Sequence, residues 1–139
     1  MNGLRKLALV AMLAAPLLAA APAIAADASL FVNATTDEPH RAQMALGFAQ
    51  KQQERNRGIT IFLNDRAVLI GSNKEAGKFK MHQDMLAAMM KAGATVLICP
   101  MCMEHYGVKK EDLVEGVQVG NPDLVGGALF KDGTQTLTW

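Results

Sequence analysis

From residue 29 onward, short unbroken apolar runs alternate with longer stretches in helical spacing. SLFVNAT (29–35) reads as a first strand. It leads into TTDEPHRA, where Thr35 and Glu38 stand in capping-box spacing and Pro39 suits a first helical turn. The helix predicted from there covers 39–56, with Ala42, Ala45, Leu46 and Ala49 near one face, and its polar end QKQQERNR stops at Gly58. ITIFLN (59–64) is a second strand, apolar almost throughout, as a parallel strand buried on both faces should be.

NDRAVLIGSNKEAG forms a loop with a short helical turn, and a second long helix follows over 75–92. Phe79, Leu86 and Met90 mark its inner face and Gly93 ends it. ATVLIC (94–99) is the third strand. MCMEHYG and KKEDLVEG read as small helices; VQVG, ALF and TQTLTW read as short closing strands, the last two joined across Lys131-Asp132-Gly133. Strands alternating with helices predict an α/β fold, a three-layer α/β/α sandwich with a mainly parallel sheet. Ligands of such sheets bind outside the carboxyl ends of the strands. Three loops leave that edge: NATTDEPH, NDRAVLIG and CPMCMEHYG.

The first 25 residues have a different character. Arg5 and Lys6 precede the apolar run LALVAMLAAPLLAAAPAIA, and Ala23 and Ala25 give a signal-peptidase pattern. The run is long enough to raise a membrane anchor, but Pro16, Pro22 and the cleavage pattern favour removal after Ala25 or Ala26. No cysteine follows it, which argues against a lipid anchor. The expected organisation is a removed signal peptide, 1–25, and one domain, 26–139, exported to a periplasm, an oxidising compartment. Removal takes two of the 14 Lys and Arg residues and none of the 13 Asp and Glu, so the net charge becomes −1. With no basic run and few aromatics, nothing points to nucleic acid or an anionic membrane surface.

Against this background the segment ICPMCMEHYG (98–107) stands out. It holds both cysteines of the chain, Cys99 and Cys102, with Met101, Met103 and His105 among them. Cys99 closes a strand and Pro100 suits the first position of a helix, so Cys99 falls near an N-cap. Unpaired backbone N–H groups there favour a thiolate, which is both a nucleophile and a soft-metal ligand. A structural disulfide across so short a loop contributes little chain entropy. Two uses then compete: thiol chemistry, as a persulfide or disulfide exchange, and a Cu(I) site of Cys99, Cys102, Met101 and Met103, soft donors that select that ion. Two cysteines are too few for a closed zinc site. Met81, Met85 and Met89, spaced i, i+4, i+8 beside His82, read as core or interface filler, and His40 as a solvated residue of the first helix.

The chain resembles the DsrE/DsrF-like family of sulfur-relay proteins. The resemblance rests on the first strand with the helix His40–Gln53, on ITIFLNDRAVLI, and on the block GATVLICPMCMEHYGV. In that family a sulfur-accepting cysteine follows the third strand about eight residues before a glycine; Cys99 stands eight before Gly107. The resemblance implies a flavodoxin-like sandwich, Cys99 as the active thiol, Cys102 as an extra thiol, and assembly as a trimer or hexamer. The expected function is a periplasmic carrier of sulfane sulfur, served by a sulfur-donor protein. The alternative is a non-enzymatic Cu(I)-binding protein, served by a metal donor. Thioredoxin-like exchange fits less well, because in that fold the CxxC helix follows an early strand.

Overall fold

In the computed structural model, which describes residues 28–139, the chain begins with β1 (Ser29–Ala34) and α1 (Pro39–Gln53). The expected signal peptide lies outside the described residues. β2 (Gly58–Leu63), α2 (Ala76–Lys91), β3 (Thr95–Ile98) and α3 (Pro100–Tyr106) follow, then β4 (Gln118–Val119), α4 (Pro122–Leu129) and β5 (Gln135–Thr138). Short 3-10 turns at Asp65–Leu69, Asn73–Glu75 and Lys110–Asp112 fill the longer connections. The strands form one sheet in the order β4-β3-β2-β1-β5, and each of its strands pairs parallel to its neighbours. The expected α/β sandwich with a parallel sheet is therefore the fold observed.

Strand order dictates the layers. The chain steps in one direction from β1 to β4, so right-handed crossovers put α1, α2 and α3 on one face. It then returns past the whole sheet to β5, which places α4 on the other face. Alternation along the strands matches this division: Val32, Ile61, Leu63, Val96 and Ile98 are wholly buried in the core beneath α1 and α2. Each such side chain contributes roughly 1.5–3 kcal/mol by leaving water. Phe31, Phe62 and Leu97 point to the α4 side. α1 buries Ala42, Ala45, Leu46 and Ala49, the stripe its sequence predicts, and the small alanines allow close approach. His82 is buried on α2, its Nε2 2.8 Å from the carbonyl of Pro39, and so ties α2 to the start of α1.

Four local expectations are corrected. The N-cap of α1 is Glu38, whose carboxylate accepts from the N–H groups of His40 and Arg41, while the Thr35 hydroxyl donates to the Trp139 carbonyl. α1 ends at Gln53 rather than 56; Asn56 takes the left-handed turn (φ 60°) and Gly58 already belongs to β2. α2 buries Phe79, His82, Gln83, Leu86 and Met89, with Met90 half-buried, so the inner face is turned slightly from that expected; the Met81-Met85-Met89 row runs from exposed to buried. ALF closes α4 instead of forming a strand: Asn121 caps that helix through the Leu124 N–H, with Pro122 at its first position. The helix makes the link to β5 a crossover, which is why β5 runs parallel to β1 and no hairpin forms across Lys131-Asp132-Gly133.

Candidate functional site

The connection after β3 leaves towards the α1/α2 face, where Met103 and Val108 join the core. The connection after β4 leaves towards the opposite face, into α4. The crevice between the two is the topological switch point of this sheet. Cys99 sits in it. A cleft of about 210 Å3 opens there, lined by Phe62, Cys99, Pro100, Met101, Gly120, Asn121, Pro122 and Val125. Gly120 keeps it open: its N–H donates to the Ile98 carbonyl at 2.8 Å, and a Cβ there would meet Val125 Cγ2 at 3.1 Å and Ile98 O at 3.2 Å.

Cys99 caps α3. Its backbone is extended (φ −70°, ψ 116°), its N–H donates to the Leu63 carbonyl, and its Sγ accepts from the Cys102 N–H at 3.3 Å. Pro100 supplies the first helical position, and Gly107 ends the helix in the left-handed conformation (φ 69°). Both thiols are free, and their sulfurs stand 2.7 Å apart. Cys102 Sγ also lies 3.1 Å from Asn64 Oδ1, so its single S–H can donate to either neighbour. The Asp65 N–H reaches Cys102 Sγ at 3.2 Å because Asp65 adopts a left-handed backbone (φ 46°), a conformation Asp tolerates better than most residues. Burial, and then its own donation to Cys99, push the Cys102 thiol up; the Asp65 N–H pulls the other way.

A polar network braces this arrangement from all three loops at the carboxyl edge. Tyr106, one turn beyond Cys102 on α3, donates its hydroxyl to the Asp65 carboxylate. Arg66 lies over the Tyr106 ring and forks onto Asp37 in the loop after β1. Lys78 of α2 reaches the same carboxylate at 3.1 Å.

Of the residues singled out in the sequence, Cys99 and Cys102 come together, and Met101 shares the cleft with Cys99 while remaining 77% exposed. Met103 is buried in the core, so Met101 is the methionine within reach of a cleft ligand. His40 and His105 are exposed; His105 rests edge-on against Tyr106. Among the described residues, no three His, Cys, Asp or Glu side chains cluster as a metal site. Asn64, Asp65, Arg66, Asp37 and Tyr106 were not foreseen as site residues. Their signal was their place on the edge loops, and for Tyr106 the i, i+4 spacing from Cys102.

Residues 27–137 match the DsrE/DsrF-like family. The chain is 27% identical over 114 residues to the uncharacterized protein MJ0989 of Methanocaldococcus jannaschii, covering 78% of this chain and 98% of that protein. It is 28% identical over 78 residues to protein YchN of Escherichia coli K12, or 55% of this chain and 67% of YchN. The crystal structure of the Escherichia coli protein superposes with a TM-score of 0.65 at 22% identity, over 81% of this chain and 99% of that one. A conserved protein of unknown function from Bacteroides thetaiotaomicron, BT1422, gives 0.62 at 23% identity, over 84% and 99%. These two structural likenesses show the shared fold, and with the family match spanning nearly all of the described residues, the chain belongs to the DsrE/DsrF-like family.

Proposed function

We propose that this protein carries sulfane sulfur as a persulfide on Cys99. The observation that carries the reading is the position of Cys99, at the switch point of the sheet and open to the cleft beneath Gly120. Two donors of Cys102, N–H and S–H, aim at its sulfur. In loading, the Cys99 thiolate attacks the outer sulfur of a donor persulfide; the donor's S–S bond breaks and its inner sulfur leaves as a thiolate. Membership in a sulfur-relay type of family supports the same chemistry. The test is intact mass after anaerobic loading with glutathione persulfide. With Cys102 replaced by Ser, so that the added sulfur stays in place, the protein should gain one sulfur atom, and the Cys99→Ser protein none; equal uptake by both removes the reading.

The N-terminal pattern Arg5-Lys6, apolar run, Ala23-x-Ala25 supports export to the periplasm, which fractionation of expressing cells tests. Phe130, 83% exposed at the end of α4, and Leu124, exposed in its first turn, support a homo-oligomer, a trimer or hexamer by family resemblance. A monomer by light scattering removes that part.

Met101 favours a second reading. It shares the cleft with Cys99, and Cys102 stands against the Cys99 sulfur, so three soft donors lie in one segment, a set that selects Cu(I). Failure of the reduced protein to compete with a Cu(I) chelator removes it.

A further inference from the structure

We propose that Cys102 discharges the sulfur that Cys99 accepts, so that loading ends in released sulfide and a Cys99–Cys102 disulfide. This inference rests on the carrier reading and gives it an outcome that a single cysteine does not allow.

The geometry of the pair carries it. The cleft touches Cys99 and not Cys102, so a sulfur added to Cys99 lies on the side of Phe62, Gly120 and Pro122. Cys102 meets the same Sγ from outside that lining, where Asn64 Oδ1 and the Asp65 N–H hold it. A thiol attacking a persulfide must come in opposite the leaving sulfur, and a nucleophile placed outside the cleft leaves the cleft free for that sulfur. The two sulfurs are hydrogen-bonded neighbours 2.7 Å apart, so a small movement brings them to the roughly 2.05 Å of a bond. The chain makes this approach by helix geometry alone, since Cys102 is one turn along from the N-cap.

The step balances without any further reagent. Cys102 Sγ forms a bond to Cys99 Sγ, and the bond from Cys99 Sγ to the outer sulfur breaks. The outer sulfur takes the bonding pair, is reduced from sulfane to sulfide, and leaves as hydrosulfide with the proton of the Cys102 thiol. The two cysteines end oxidised as a disulfide. Resetting the protein for a second round requires an external dithiol, which exchanges with that disulfide.

The experiment uses the full-length protein after its signal peptide is removed, reduced and then freed of reductant under anaerobic conditions. One equivalent of glutathione persulfide is added, and sulfide is trapped and quantified while intact mass and peptide mapping follow the cysteines. Wild type should release close to one sulfide per chain and accumulate the 99–102 disulfide. Cys102→Ser and Cys102→Ala should hold the persulfide on Cys99 and release sulfide more than about 100-fold slower, the loss expected when a positioned intramolecular nucleophile is removed. If wild type keeps its persulfide as long as these variants, or if the sulfur is found on Cys102, the discharge step is overturned while the carrier reading stands. If neither wild type nor the Cys102 variants take up sulfur, the carrier reading has failed and this inference with it.

Discussion

The guanidinium of Arg66 grips the carboxylate of Asp37 with both forks, Nε to Oδ1 at 2.7 Å and Nη2 to Oδ2 at 2.9 Å. This pair fastens the loop after β1 to the loop after β2, and the second of those loops holds Cys102. Arg66 and Lys78 together hold the Asp37 carboxyl at about 2, with the Arg66 hydrogen bond the largest cause and burial opposing it.

Replacement of Asp37 by Asn should therefore lower stability by about 2 kcal/mol, the worth of charge-assisted hydrogen bonds to a mostly buried carboxylate. The folded value lies below the ordinary 3.8, so the contribution is complete above that pH and is lost as pH falls towards 2. Urea unfolding of both proteins checks this. The gap between wild type and Asp37→Asn should be constant near neutrality and shrink below pH 3.8; a gap that widens in acid contradicts the assignment.

Asp65 tests whether the loop is strained for the sake of Cys102. Its left-handed backbone (φ 46°) penalises a side chain with a Cβ, and the Tyr106 hydroxyl offsets that penalty by bonding its carboxylate. Asp65→Ala should be destabilised, and Asp65→Gly should be more stable than Asp65→Ala by about 1 kcal/mol, because glycine adopts this conformation freely. Equal midpoints for the two variants in chemical denaturation would show that the conformation carries no cost.

The larger pattern of the fold was legible because burial on both faces leaves β2 and β3 almost continuously apolar, and because α1 and α2 are long enough to show their stripes. The thiol pair was legible because its chemistry is local, a strand end followed by Cys-Pro. α4 was not. Gly126 and Gly127 lie in the middle of an eight-residue helix, where they erase its propensity signal and leave ALF looking like a strand. Nor was the brace of Asp37, Asn64, Arg66 and Tyr106 legible, since its contacts join residues 29 to 41 positions apart that only the sheet brings together. Sequence showed which loops share the edge, but not which of their polar side chains meet.

The burial of Cys102 should also show in its response to pH. Burial, the largest cause of the upward shift at Cys102, remains when Cys99 is replaced by Ala. Alkylation of Cys102 in that variant by iodoacetamide should rise with pH with a midpoint above 9.0, the ordinary value for this thiol. A midpoint at or below 9.0 would mean that the Asp65 N–H outweighs burial at this thiol.

Glycine substitutions inside and outside the cleft lining distinguish access to Cys99 from stability. A Cβ at Gly120 would stand 3.1 Å from Val125 Cγ2 and 3.2 Å from the Ile98 carbonyl, so α4 must shift against β3 to admit it. Gly120→Ala should cost about 1–3 kcal/mol, as overpacking does, and slow sulfur uptake at Cys99 beyond what the lost stability explains. Gly127 has nothing within 4 Å of a built Cβ and lies inside α4. Gly127→Ala should raise stability by up to about 1 kcal/mol through helix propensity and leave uptake unchanged. Loading rates measured well below the unfolding transition of both variants decide the point. Uptake that follows stability in both proteins would mean the sulfur donor does not enter through the cleft; uptake lost in Gly120→Ala alone places the donor's path between Phe62 and Pro122.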